Sequence, residues 1–145
     1  MALPINVCGI EPESIVDGPG FRYVVFVQGC PHHCPGCHNP QSHAFEGGTP
    51  RTADDLFSEF RENPLLSGVT LSGGEPLMQA EGLIELVKLL EGFDIAVYTG
   101  HELCDVPQEL LERINYIKTG SFKEELKTTV KPFVGSTNQE FRRLR

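Results

Sequence analysis

"FRYVVFVQGCPHHCPGCHNP", residues 21–40, runs from an apolar, β-branched segment directly into three cysteines within eight positions. Its first eight residues are rich in Val, Phe and Tyr and are bounded by "DGPG" before and "GCP" after, the pattern of a buried strand between turns. Cys30, Cys34 and Cys37 therefore follow a strand end. Further along, "TADDLFSEFRE" (52–62) opens with Thr52 and Asp55 in capping spacing and puts Leu56, Phe57 and Phe60 on one face, which predicts a helix stopped near Pro64. "GVTLSGGEP" predicts a strand ending near Ser72 and then a glycine turn. "QAEGLIELVKLLEG" carries Leu83, Leu86, Val87 and Leu90 at helical spacing, with Gly92 placed to end the helix. "DIAVYTG" reads as a third strand, "PQELLERI" as a helix with proline in its first turn, and "NYIKTG" as a fourth strand. Beyond it the pattern is mixed, with one more extended segment expected around "KPFVG".

Strands alternating with helices of about a dozen residues imply parallel βα units. A chain of 145 residues is enough for a single domain, 1–145, whereas a complete eight-unit barrel needs about 250 residues. The expected fold is therefore α/β, a partial, open (β/α) barrel of parallel strands with one side uncovered. In such folds ligands gather at the carboxyl ends of the strands. "GCPHHCPGC", "SGGEP" and "YTG" all fall at such ends, so three motifs distant in sequence should converge on one rim.

The composition narrows the function classes. A net charge of −8 disfavours a nucleic-acid partner, because phosphate binding needs a concentrated basic surface. The one basic run, "FRRLR" at the end, reads as a solvated terminus. No apolar run is long enough to span a bilayer, so no membrane role is expected. The N-terminal "MALPINVCGIEPESIVDG" has neither a basic nor an apolar signal region, which makes the cytoplasm the expected location. In a reducing compartment an odd count of five cysteines argues for metal or redox use over a disulfide framework. Cys8 and Cys104 are isolated and read as small buried hydrophobes.

Thiolates spaced CxxxCxxC on one loop can wrap a cuboidal iron–sulfur cluster. Three thiolates leave one iron of a four-iron cluster without a protein ligand, and an open metal position is where a substrate or cofactor binds, as in catalytic zinc sites. The competing reading is structural zinc with His32, His33 or His38 as fourth ligand. Common zinc modules bring two ligand pairs from separate segments, and this chain has no second pair. His32 and His33 read as solvated loop residues.

CxxxCxxC after the first strand and "GGEP" after the second resemble the radical S-adenosylmethionine superfamily. "VDGPGFR", "GCPHHCPGCHNP", "LSGGEPL", "YTG" and "VGSTNQ", in this order from about Ile15 to Arg143, are similar to the activating proteins of anaerobic ribonucleotide reduction within it. The resemblance implies a 4Fe-4S cluster on Cys30, Cys34 and Cys37, with S-adenosylmethionine chelating the fourth iron. It implies reductive cleavage to a 5′-deoxyadenosyl radical that generates a glycyl radical on the large subunit of an anaerobic ribonucleoside-triphosphate reductase. Gly73, Gly74 and Glu75 occupy the position that contacts the methionyl ammonium, where glycine lets a backbone approach a ligand closely. Gly36, Cys37 and His38 would lie near the adenine end. Gly36 stands where many members carry an aromatic residue, and His38 is the substitute candidate for stacking. Tyr98, Thr99 and Gly100 are candidate pocket residues, a plain strand-end turn being equally consistent with them. Lys118, Thr119 and Gly120 replace a segment in which some relatives carry an acid, which argues against a functional carboxylate there. No catalytic residue beyond the cluster ligands is expected.

A flavodoxin or ferredoxin is the implied electron donor, and oligomeric state is left open, a homodimer included. Two other functions compete: an activase for another glycyl-radical enzyme such as pyruvate formate-lyase, and a non-catalytic metal or electron-transfer module. The short chain favours the reductase activase, and cleavage of S-adenosylmethionine separates it from the module.

Overall fold

The computed structural model describes residues 4–30 and 47–145. Cys34, Gly36, Cys37 and His38, with His32 and His33, lie outside the described residues. Seven strands among the described residues form one sheet: β1 (Ile5–Ser14), β2 (Arg22–Val27), β3 (Thr49–Arg51), β4 (Gly68–Gly73), β5 (Asp94–Tyr98), β6 (Tyr116–Thr119) and β7 (Glu140–Arg143). Their order is β3-β1-β2-β4-β5-β6-β7. The centre, β2-β4-β5-β6, is wholly parallel and consists of the four strands that the apolar runs predict. The flanks are antiparallel, so the sheet is mixed.

Helices α1 (Ala53–Arg61), α2 (Ala80–Leu89) and the single turn α3 (Gln108–Leu111) supply Leu56, Phe60, Leu83, Leu86, Val87 and Leu110 to the same core cluster. The strands answer with alternate residues: Tyr23, Val25 and Val27 on β2, Val69 and Leu71 on β4, Ile95 and Val97 on β5, Ile117 on β6. Helix α1 starts as its sequence requires, with Thr52 Oγ1 accepting from Asp55 N at 3.1 Å. Helix α3 is shorter than its pattern suggests. Asn115 already pairs with Ile95 of β5, donating to its carbonyl (2.8 Å) and accepting from its N–H through Oδ1 (2.9 Å), so the chain must leave the helix before it.

Three strands are not apparent in the sequence. Strand β1 contains Gly9, Pro12 and two glutamates, and two register irregularities against β2 break its alternation. Strand β3 has three residues. The expectation of a solvated basic tail is corrected: residues 140–143 are the edge strand β7, antiparallel to β6, whose arginines face outward. Charge on an edge strand blocks pairing with other chains, and therefore disguises the strand as a tail. The extended segment expected around "KPFVG" is instead a turn, with Phe133 at φ 63°.

The sheet face away from the helices begins with Arg22, fully buried and answered from four directions. Its guanidinium donates to Thr70 Oγ1 (2.7 Å) and to the carbonyls of Pro19 (2.9 Å), Val69 (2.9 Å) and Asp94 (3.2 Å). Asp94 Oδ1 lies 3.5 Å away. Burial lowers the Arg22 pKa, and Asp94 opposes the shift. Thr70 Oγ1 donates in turn to the Asp17 carbonyl (2.6 Å), so Arg22 anchors the "VDGPG" turn to β4. Gly18, at φ +123°, could not carry a side chain there, since its Cβ would lie 2.9 Å from Arg22 Cδ. Replacing Arg22 by alanine strips Asp94 of its partner and three carbonyls of their donor. Arg22→Ala is expected to cost about 3–5 kcal/mol, read as a lower urea midpoint.

Candidate cofactor site at the strand-end rim

The carboxyl ends of β2, β4, β5 and β6 are tied together by hydrogen bonds between residues far apart in sequence. Beyond β4 the chain turns through Gly73, whose φ is +98° and whose Cβ would lie 2.4 Å from Val27 N. Only glycine allows β2 to pass this closely. Gly74 N then donates to Val27 O (2.8 Å) and Glu75 N to Gly29 O (2.8 Å). The "GGE" turn is thus bonded to the segment leading into Cys30, which is buried just past β2. On the next strand, Thr99 Oγ1 donates to Glu75 Oε2 (2.5 Å) and Gly100 N to Glu75 Oε1 (2.8 Å). Leu77 N also donates to Glu75 Oε2 (3.1 Å), capping the turn that enters α2. From β5 to β6 the series continues through Thr99 N to Lys118 O (2.9 Å) and Gly120 N to His101 O (3.0 Å).

Of the sequence-predicted residues, the structure brings Cys30, Gly73, Gly74 and Glu75 together, with Thr99 and Gly100 beside them. Glu75 is fully buried, and among the described residues its carboxylate accepts hydrogen bonds from Leu77 N, Thr99 Oγ1 and Gly100 N. The sequence could not show this role, because the partners stand 24 and 25 positions away. Cys8 is half-buried and Cys104 exposed, so neither is the fully buried hydrophobe that isolation suggests.

Residues 135–139 ("GSTNQ"), for which spacing offers no role, act as a clasp. Gln139 Oε1 accepts from Gly135 N (2.8 Å) and Ser136 N (3.2 Å), while its Nε2 donates to Gly120 O (2.9 Å). Asn138 Nδ2 donates to Ser121 O (2.8 Å). The clasp pins the segment before it across the sheet face that carries no helix among the described residues. Between the segment and the sheet lies a cavity of about 320 Å³, lined among others by Asp17, Phe26, Ser72, Tyr98, Lys118 and Phe133. Tyr98 is 8% exposed, and its hydroxyl is buried with no hydrogen-bond partner among the described residues. Burial first, then the Asp17 charge, pushes its pKa above the ordinary phenol range, so it stays a neutral donor. Lys118 Nζ lies 4.7 Å from the Tyr98 ring centroid, and Phe141 meets the ring edge-on at 6.1 Å.

These residues fit a bound cofactor: a buried thiol beside a glycine turn, and next to it a polar cavity holding an orphaned hydroxyl. The rim itself is testable without any ligand. Glu75→Gln keeps the shape but turns an amide NH₂ toward N–H and O–H donors. It is expected to destabilise the ligand-free protein by about 2–3 kcal/mol in urea titration. A loss below about 0.5 kcal/mol would mean that the carboxylate does not hold the strand ends together.

Comparisons with known proteins identify the family. The family model described as a 4Fe-4S single cluster domain matches residues 16–142. The chain is 33% identical over 148 residues to the anaerobic ribonucleoside-triphosphate reductase-activating protein of Escherichia coli (strain K12), covering 92% of this chain and 96% of that one. It is 42% identical over 104 residues to the pyruvate formate-lyase-activating enzyme of Listeria monocytogenes serovar 1/2a, covering 68% of this chain and 41% of that one. Among solved structures, QueE from Escherichia coli superposes with a TM-score of 0.52 at 21% identity, covering 82% of this chain and 71% of that one, a likeness of fold. The chain therefore belongs to the 4Fe-4S single cluster domain family and, within it, to the radical S-adenosylmethionine activating enzymes, oxidoreductases that use a 4Fe-4S cluster and S-adenosylmethionine to activate glycyl-radical enzymes.

Proposed function

We propose that this protein activates an anaerobic ribonucleoside-triphosphate reductase. The observation that carries the reading is the hydrogen-bonded junction of the Cys30 segment with the "GGE" turn at the parallel strand ends. Cys30, Cys34 and Cys37 would hold the cluster, and Gly73, Gly74 and Glu75 would receive the amino-acid end of S-adenosylmethionine. Gly36 and His38, flanking Cys37, would lie toward the adenine. When bound, the cluster would supply the electron for reductive cleavage of S-adenosylmethionine, the radical chemistry by which such an activase places a glycyl radical on its partner.

The protein's own residues then have two tasks, position and exclusion of water. Glu75 fixes the glycine turn against the end of β5, and the Gln139 clasp keeps the covering segment over the cavity. We read 1–145 as one domain whose parallel strands form a partial, open barrel; the uninterrupted β2-β4-β5-β6 order supports this. The open side would dock the large reductase subunit. No helix among the described residues is long and apolar enough to cross a membrane. A cytoplasmic setting with a flavodoxin or ferredoxin donor completes the proposal.

The reductase is favoured over pyruvate formate-lyase by coverage: the match to the reductase activase spans nearly all of both chains, whereas the formate-lyase activase extends well beyond it. The higher identity over the shorter stretch keeps the second target as an explicit alternative. Electron paramagnetic resonance separates the two, using reconstituted protein, dithionite, S-adenosylmethionine and each candidate partner. A glycyl doublet is expected on the reductase, and a doublet on formate-lyase alone would reassign the target. Cys34→Ala is expected to abolish both the brown cluster absorbance and 5′-deoxyadenosine formation. A variant that keeps both removes Cys34 from the ligand set.

A further inference from the structure

We propose that Tyr98 is a positioning residue for S-adenosylmethionine, its hydroxyl donating a hydrogen bond to an acceptor atom of the cofactor in the cavity between the sheet and residues 129–135. The inference rests on the functional reading above and adds a residue to it. Among the described residues the Tyr98 hydroxyl has no partner, and a buried hydroxyl left so costs about 1–3 kcal/mol, so it is a donor that a ligand can satisfy. The ring is held on both sides, by the Lys118 ammonium over its face and by Phe141 against its edge, so the hydroxyl direction is set before anything binds.

The cavity adjoins the cofactor rim. Thr99 and Gly100, the next two residues after Tyr98, bind the carboxylate of Glu75, and Ser72, the last residue before the "GGE" turn, lines the same cavity. A space closed on one side by the sheet and on the other by the clasped segment suits a small molecule better than a partner's polypeptide. S-adenosylmethionine brings acceptors of the right kind in its carboxylate, ribose hydroxyls and adenine nitrogens.

Tyr98→Phe separates this role from a structural one. Removing an unsatisfied buried hydroxyl leaves the packing intact, so the melting temperature of the ligand-free variant should be unchanged or higher. The Kd of the cluster-loaded variant for radiolabelled S-adenosylmethionine, measured by anaerobic equilibrium dialysis, should rise about five- to tenfold. A lower melting temperature with unchanged Kd would make Tyr98 structural and overturn the proposal. An unchanged Kd with impaired reductase activation would overturn it too, placing the hydroxyl against the partner's glycine segment. Wild-type protein that binds no S-adenosylmethionine at all would instead defeat the functional reading itself, and this inference with it.

Discussion

Everything at the functional end of this protein depends on one buried carboxylate. Glu75 accepts hydrogen bonds from its own turn and from the end of the neighbouring strand, while its backbone N–H reaches the segment that leads to Cys30. A carboxylate withdrawn from water is tolerated only when donors surround it. Here the donors come from β5 and from the first turn of the following helix. Burying the charge therefore forces β2, β4 and β5 into one arrangement at their carboxyl ends. The thiol, the glycine turn and the cavity acquire fixed relations as a result.

A second buried charge does the equivalent work at the opposite ends of the same strands. Arg22 gathers carbonyls from the "VDGPG" turn, from β4 and from β5, and through Thr70 it holds Asp17 near the mouth of the cavity. Arg22 stiffens a sheet face that carries no helix among the described residues, and Glu75 ties the strand ends. The helical face is held by ordinary apolar burial, and the other by polar networks together with the aromatic cluster of Tyr98, Phe133 and Phe141. The covering segment is pinned by the side chain of Gln139 and by turns, which suits a surface that must close over a cofactor and still admit a partner.

Tyr98 shows the other side of this economy. The rim residues described above are bonded within the protein, whereas this hydroxyl has no partner among the described residues. Local stability is given up at the point where a ligand would restore it, as is common at binding sites. The phenol also stays neutral because of its burial, so it offers a donor without adding a charge beside Asp17.

By itself the amino-acid sequence determined the four parallel strands, the helices between them, the thiol spacing and the placement of three motifs at strand ends. All of these follow from local periodicity, capping and turn chemistry, which act over a few residues. Tertiary structure alone decided that residues 140–143 are an edge strand, because β6 and not their own composition supplies the pairing. It likewise decided the partners of Glu75, the clasp made by Gln139 and the unmet hydroxyl of Tyr98. Their cross-sheet bonds join groups from 19 to 25 positions apart, and no local pattern encodes a contact, or the lack of one among the described residues, that only the folded sheet creates.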